Sequence, residues 1–162
     1  MKKPFRPSAA CYALVLYHPQ AQAVEVGALG TINCPAGWLY YVGRARRGWS
    51  RRIKRFQKEN MTPFWHIDYL VQAPSTSLTS VFVFSEPAEV ECTVAREFEK
   101  FSELQALPHR FGASDCEQGC RAHGWSGELA PERLHRRLRS DPLEFSGRVD
   151  FHELSCDWFS RE

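Results

Sequence analysis

Two tyrosines, Tyr12 and Tyr41, stand 29 residues apart in β-rich segments, and a dense basic run follows the second of them. Arg44, Arg46, Arg47, Arg51, Arg52, Lys54, Arg55 and Lys58 put eight cations into fifteen residues with no acid among them. Such an array suits a phosphate backbone: each neutralised phosphate releases counterions, and a guanidinium can bind two oxygens at once. A solvated helix face is the alternative for a run of this kind. A tyrosine whose pKa is lowered by nearby cations could give or take a proton, whereas a tyrosine in a strand is more often structural.

Three further groups could carry chemistry. Glu91 stands among Glu89, Glu97 and Glu99. One carboxylate with waters and substrate phosphate oxygens is a usual way to hold magnesium, although spacing alone does not single out Glu91. His66 and Asp68 lie in Trp65-His66-Ile67-Asp68-Tyr69, where an extended chain would put both on one side, to orient a proton carrier or to tie the segment to the core. Cys116, Cys120 and His123 offer three soft metal ligands within eight residues, with Cys92, Cys156 or Asp115 as a fourth. The missing CxxC pair weighs against zinc there.

Positioning these groups requires a mixed fold. Strands are expected at Cys11 to Tyr17, Ala23 to Val26 and Trp38 to Gly43, and again at Leu78 to Phe84. Trp49, Ile53 and Phe56 recur at helical spacing, so a basic amphipathic helix is expected from Trp49 to Lys58. Phe64 to Val71 reads as a short helix or turn. Val90, Val94, Phe98 and Phe101 predict an acidic helix from Glu89 to Leu104. The chain then reads as irregular until Trp125. A helix follows from Pro131 to Arg139, with its own basic cluster of Arg133, His135, Arg136, Arg137 and Arg139, and the last stretch, Val149 to Phe159, reads as a strand or an extended tail.

At 162 residues and 43% hydrophobic, the chain has the material for one cored domain and no room for a large multidomain enzyme. Its net charge of +2 conceals a division: residues 1–80 carry eleven Lys/Arg against three Asp/Glu, and residues 81–162 carry ten against sixteen. No window approaches 18 consecutive apolar residues, which argues against a membrane span. The run from Ala9 to Tyr17 lacks a small-residue cleavage site and reads as a strand rather than a signal peptide. Six cysteines without an export signal favour reduced thiols and a cytoplasmic protein.

From about Cys11 to His123 the sequence resembles the GIY-YIG nuclease superfamily, in particular small members that occur alone or joined to endonuclease III-type proteins. Ala10-Cys11-Tyr12 stands at the first Gly-x-Tyr triplet and Tyr41-Val42-Gly43 at the second. Arg52-Ile53-x-Arg55-Phe56 is similar to the catalytic-arginine helix, and Glu91-Cys92 to the start of the metal-binding helix. Gly27-Ala28-Leu29-Gly30, Trp65 to Leu70 and Phe111 to Cys116 look like signatures of the branch. Ala10 departs from the family glycine, Phe56 from a histidine, and the two cysteines are further apart than is usual.

The resemblance implies an α/β (α+β) domain over 1–123, with a small, mainly antiparallel three-stranded sheet flanked by helices, and a partly helical extension over 124–162. It implies a metal-dependent endonuclease acting on DNA, with a role in repair. Mg2+ or Mn2+ would sit on Glu91, Arg52 would neutralise developing charge, and Tyr12, Tyr41 and His66 would complete the catalytic set. Arg44, Arg46, Arg47, Arg51, Arg55 and Lys58 would bind the nucleic acid. The alternative is a nucleic-acid-binding module with this fold and no turnover; a protein-interaction domain with two charged halves comes third.

Overall fold

Cys11, Ala13 and Val15 alternate with Tyr12, Leu14 and Leu16 along β1 (Ala10–His18), and all six are buried. Period-two alternation buried on both sides marks a strand with a core on each face. The computed structural model describes residues 10–58, 61–84, 91–140 and 149–154. Among them, no helix is long and apolar enough to cross a membrane.

The remaining strands are β2 (Gln22–Glu25), β3 (Thr31–Cys34), β4 (Gly37–Ala45), β5 (Ser77–Phe84), β6 (Leu104–Ala106), β7 (Gly124–Gly127) and β8 (Val149–Glu153). The helices are α1 (Trp49–Phe56), α2 (His66–Val71), α3 (Glu91–Glu99) and α4 (Pro131–Ser140). Six strands form one antiparallel sheet in the order β6-β7-β4-β1-β5-β8, and β2 pairs with β3 as a separate two-stranded sheet. The fold of the described residues is thus α+β, with four helices.

The expected three-stranded sheet is corrected by this architecture. β6 and β7 have only three and four residues, and β7 reads Gly-Trp-Ser-Gly, so neither carries a periodic signal of its own. The strand expected at Ala23 to Val26 forms as β2 but lies outside the six-stranded sheet, in which β1 runs between β4 and β5. The expected helix from Glu89 to Leu104 ends at Glu99, and Leu104 opens β6. Phe101 remains buried beside Phe98 after the chain leaves the helix, which is why the apolar spacing runs on past its end. Glu89 lies outside the described residues.

One core joins Tyr12, Leu14, Leu16, Leu39 and Tyr41 of the sheet to Trp49, Ile53 and Phe56 of α1 and Ile67 and Leu70 of α2. The α1 stripe buries as its spacing predicts, and each such side chain contributes about 1.5–3 kcal/mol by leaving water. The opposite core joins Cys11, Ala13, Val15, Tyr40 and Val42 to Val94 and Phe98 of α3 and Leu134 and Leu138 of α4. Helices therefore cover both faces, and the groups of interest gather where β1 begins and β4 ends.

Candidate active site and metal-ligand cluster

Register brings the two tyrosines together. Tyr12 lies opposite Gly43, and Tyr41 lies two residues earlier on the same strand and the same face. A Cβ on Gly43 would stand 2.7 Å from the Tyr12 hydroxyl and 3.2 Å from the Tyr41 ring, so both rings use the space that glycine leaves. Gly112, at φ +75°, does the same on the other side of Tyr41, where a Cβ would meet the ring at 2.7 Å. Phe111 holds Tyr41 edge-on, with ring centroids 6.2 Å apart.

The tyrosines form the floor of an open cleft of about 510 Å3. Arg44 from β4, Arg52 and Phe56 from α1, Trp65, His66 and Ile67 around the start of α2, and Glu91 and Cys92 from the start of α3 line it too. The loop before β7 contributes Cys116 and His123. Tyr12, Tyr41, Arg52, His66 and Glu91, spread over eighty residues of chain, thus border one volume.

Burial works against an anionic phenol here. Tyr12 and Tyr41 are both pushed well above the ordinary tyrosine value, chiefly by desolvation, which Arg52 only partly offsets. At neutral pH both are hydrogen-bond donors rather than bases, contrary to the expectation of cation-lowered tyrosines.

Arg52 lies with its guanidinium carbon 3.9 Å from the centre of the Trp65 ring and donates to the Arg44 carbonyl at 3.4 Å. Arg55 is engaged by a buried carboxylate. Its Nη1 and Nη2 donate to Asp68 Oδ1 and Oδ2 at 2.6 and 2.8 Å, and Asp68, fully buried, also accepts from the Phe64 and Trp65 backbone N–H groups. Burial opposes the charge on Asp68, but Arg55 and the two N–H groups outweigh it and hold the carboxyl below its usual range. Asp68, the third residue of α2, therefore closes the start of that helix by accepting from the backbone N–H of its N-cap residue Trp65, and it anchors α1 through Arg55. His66, two positions earlier on a helix, points elsewhere, toward Phe111 with ring centroids 5.8 Å apart. The expected pairing of His66 with Asp68 assumed an extended chain and does not form.

Arg46, Arg47, Arg51 and Lys58 are exposed around α1. The second basic cluster belongs to the other face: Arg137 pairs with Glu103 at 2.7 Å and lies over Phe101, and His135 bonds the Val149 carbonyl. Glu97, among the glutamates of α3, is buried and paired with Lys100 at 2.8 Å.

Glu91 has defined neighbours. His123 Nδ1 lies 3.0 Å from its Oε1, and Arg44 Nε lies 3.6 Å from its Oε2. Behind it, Cys92, Cys116, Cys120 and His123 form a cluster that could hold a metal ion, with ligand atoms all within 4.8 Å of one another. Cys92 Sγ is 3.5 Å from Cys116 Sγ and 3.9 Å from His123 Nε2. The Cys116 thiol is opposed by burial yet drawn down to about 6, because the backbone N–H groups of Cys120 and Gln118 and the neighbouring thiols stabilise its charge; Cys92 is pushed up to about 12, mainly by burial. Cys92 joins the set although it is 24 residues from Cys116. Asp115 is not in the cluster, and Cys156 lies outside the described residues.

The family model that matches residues 11–137 is described as a domain of unknown function, DUF123. The chain belongs to the DUF123 family. DUF123 is a distinct family, so the resemblance to the GIY-YIG superfamily is corrected. Its triplets have a local reason: a tyrosine facing a glycine across two antiparallel strands is what packing two rings at one sheet end requires. No curated protein matches this DUF123 chain, and no solved structure does. The DUF123 match runs through α3, the Cys/His loop and β7 into α4, and so takes in every residue of the cleft.

Proposed function

We propose that the protein is a metal-dependent endonuclease that hydrolyses phosphodiester bonds in DNA. One observation carries the reading: Tyr12, Tyr41, Arg44, Arg52, His66 and Glu91 line a single open cleft beside an exposed basic helix. A phosphodiester is an anion whose charge grows on its non-bridging oxygens during attack, and two arginines with two neutral phenols form a donor set suited to it.

Glu91 suits a hard divalent ion. Its two oxygens receive one contact each from His123 and Arg44, which leaves acceptor capacity for magnesium or manganese completed by waters and phosphate oxygens. When bound, such an ion lowers the pKa of bound water and neutralises phosphate charge. The thiols behind Glu91 are not its ligands, since hard ions take oxygen.

The chain's own groups divide the remaining work. Arg52, held flat by Trp65, presents its free edge to a phosphate oxygen. Tyr12 and Tyr41 donate to a second oxygen or hold the attacking water. His66, at the wall, accepts a proton from that water. The exposed Arg46, Arg47 and Arg51 around α1 carry the flanking backbone, and the tryptophan and the exposed Phe64 supply aromatic surface for a base. Action in DNA repair and residence in a reducing cytoplasm, where the free cysteines stay reduced, complete the reading.

Incubation of the full chain with magnesium or manganese and plasmid, single-stranded and branched DNA tests this. Cleavage is expected, with a loss of about a hundred- to a thousandfold in Arg52→Ala and Glu91→Ala. Undiminished cleavage by either variant overturns the assignment. Salt-sensitive binding without cleavage under any metal supports instead a nucleic-acid-binding module without turnover.

A further inference from the structure

Three thiols and an imidazole crowd together behind Glu91 from two distant segments. Cys92 sits in the first turn of α3, while Cys116, Cys120 and His123 come from a loop wound tightly enough to need positive φ at His109, Arg110, Gly112 and Gly119. Backbone bonds from Ala113 N to Arg110 O, Cys116 N to Ala113 O and His123 N to Phe111 O fix that winding. Arg110 braces it by donating to the Cys116 carbonyl at 3.1 Å. Cys120 and His123 are buried, and Cys92 and Cys116 half-buried. All three cysteines are free.

The spacings match one coordination polyhedron. Zinc–sulfur bonds of about 2.3 Å at tetrahedral angles set the ligand atoms about 3.8 Å apart along each edge, and slightly less where nitrogen is one end. The observed 3.5 Å between Cys92 and Cys116 sulfurs and 3.9 Å from Cys92 sulfur to His123 Nε2 bracket that edge. The fourth donor, Cys120, lies within the same 4.8 Å limit. The imidazole is also oriented as a ligand should be: Nδ1 faces the Glu91 carboxylate at 3.0 Å, which leaves the Nε2 lone pair toward the sulfurs.

We propose that Cys92, Cys116, Cys120 and His123 form a closed Cys3His zinc site that clasps the start of α3 to the loop before β7, with Glu91 as the outer carboxylate that orients His123. Thiolates with imidazole in a tetrahedron select zinc over magnesium or manganese, and four protein ligands leave no position for substrate. The ion is structural and forms the back wall of the cleft. Its presence is independent of what the cleft cleaves; only its bearing on Glu91 as a catalytic group rests on the hydrolase reading.

Metal analysis of the full chain, purified after expression in zinc-supplemented medium, tests the site. About one zinc per chain is expected, and replacement by cobalt(II) should give the intense visible bands of tetrahedral thiolate coordination together with sulfur-to-metal charge transfer. Cys116→Ser and Cys120→Ser should lose the zinc and those bands. Glu91→Gln should keep the stoichiometry and the bands while binding about 10- to 100-fold more weakly. Absence of zinc after reconstitution, a weak six-coordinate cobalt spectrum, or full stoichiometry and bands in either cysteine variant overturns the site. The cobalt spectrum of the unaltered chain decides even where a cysteine variant does not fold. A chain that holds tetrahedral zinc and cleaves nothing keeps the site and removes only the hydrolase reading.

Discussion

The Tyr12 hydroxyl stands over Gly43, its register partner across β1 and β4, closely enough that a Cβ at position 43 would lie 2.7 Å from it. The same Cβ would lie 3.2 Å from the Tyr41 ring. One missing side chain therefore sets the relation between the two phenols that floor the cleft. Gly43→Ala is expected to cost about 1–3 kcal/mol by overpacking and to lower cleavage further than that loss accounts for, because both hydroxyls shift. Urea denaturation alongside single-turnover cleavage separates the two effects. Wild-type turnover in the alanine variant would show that the phenols are not part of the site.

Asp68 supplies a pH dependence of stability. Its carboxyl is held below the usual range in the fold, so its contribution is fully present above the unfolded value of about 4 and is lost as the pH falls through the depressed folded value. Asp68→Asn should cost about 3 kcal/mol at neutral pH, because it leaves Arg55 and two backbone N–H groups without the charge they surround. Urea midpoints of the two proteins should converge toward acid pH. A constant gap down to the lowest pH at which both fold would refute the assignment.

The basic residues should divide into two kinds. Arg46, Arg47 and Arg51 are exposed, and each alanine variant should flatten the plot of log affinity against log salt on duplex DNA by about 0.9, one released counterion per lost phosphate contact. Arg55 is committed to Asp68, so Arg55→Ala should lower stability and leave that slope unchanged. Fluorescence anisotropy titrations over a salt series read the slopes directly. Equal slopes for wild type and the three exposed-residue variants would place the DNA on another surface.

Much of the molecule was legible in local pattern. The short, continuous β-rich run from Cys11 to Tyr17 and the Trp49, Ile53, Phe56 stripe are signals carried within a few residues, and β1 and α1 form where those signals lie. The density of cations around α1 is equally local. The short strands were not legible, because Leu104–Ala106 and Gly124–Gly127 are held by hydrogen bonds to partners that no pattern within them announces. Their register depends on β4 being already in place.

Residue types alone showed which groups could bind phosphate, carry protons or ligate a metal; they did not show which of them meet. Arg55 and Arg52 are three residues apart on one helix, yet one is spent on a buried aspartate and the other faces the cleft. Cys92 and His123 are 31 residues apart and meet at 3.9 Å, while Asp115, next to Cys116, stays out of the cluster. Composition and short-range periodicity are properties of the chain, and they established the long strands β1, β4 and β5, the basic helix and the stock of ligands. Proximity between distant segments arises only when both faces of the sheet are packed, and that packing selects the partners of Glu91, His66 and the thiols.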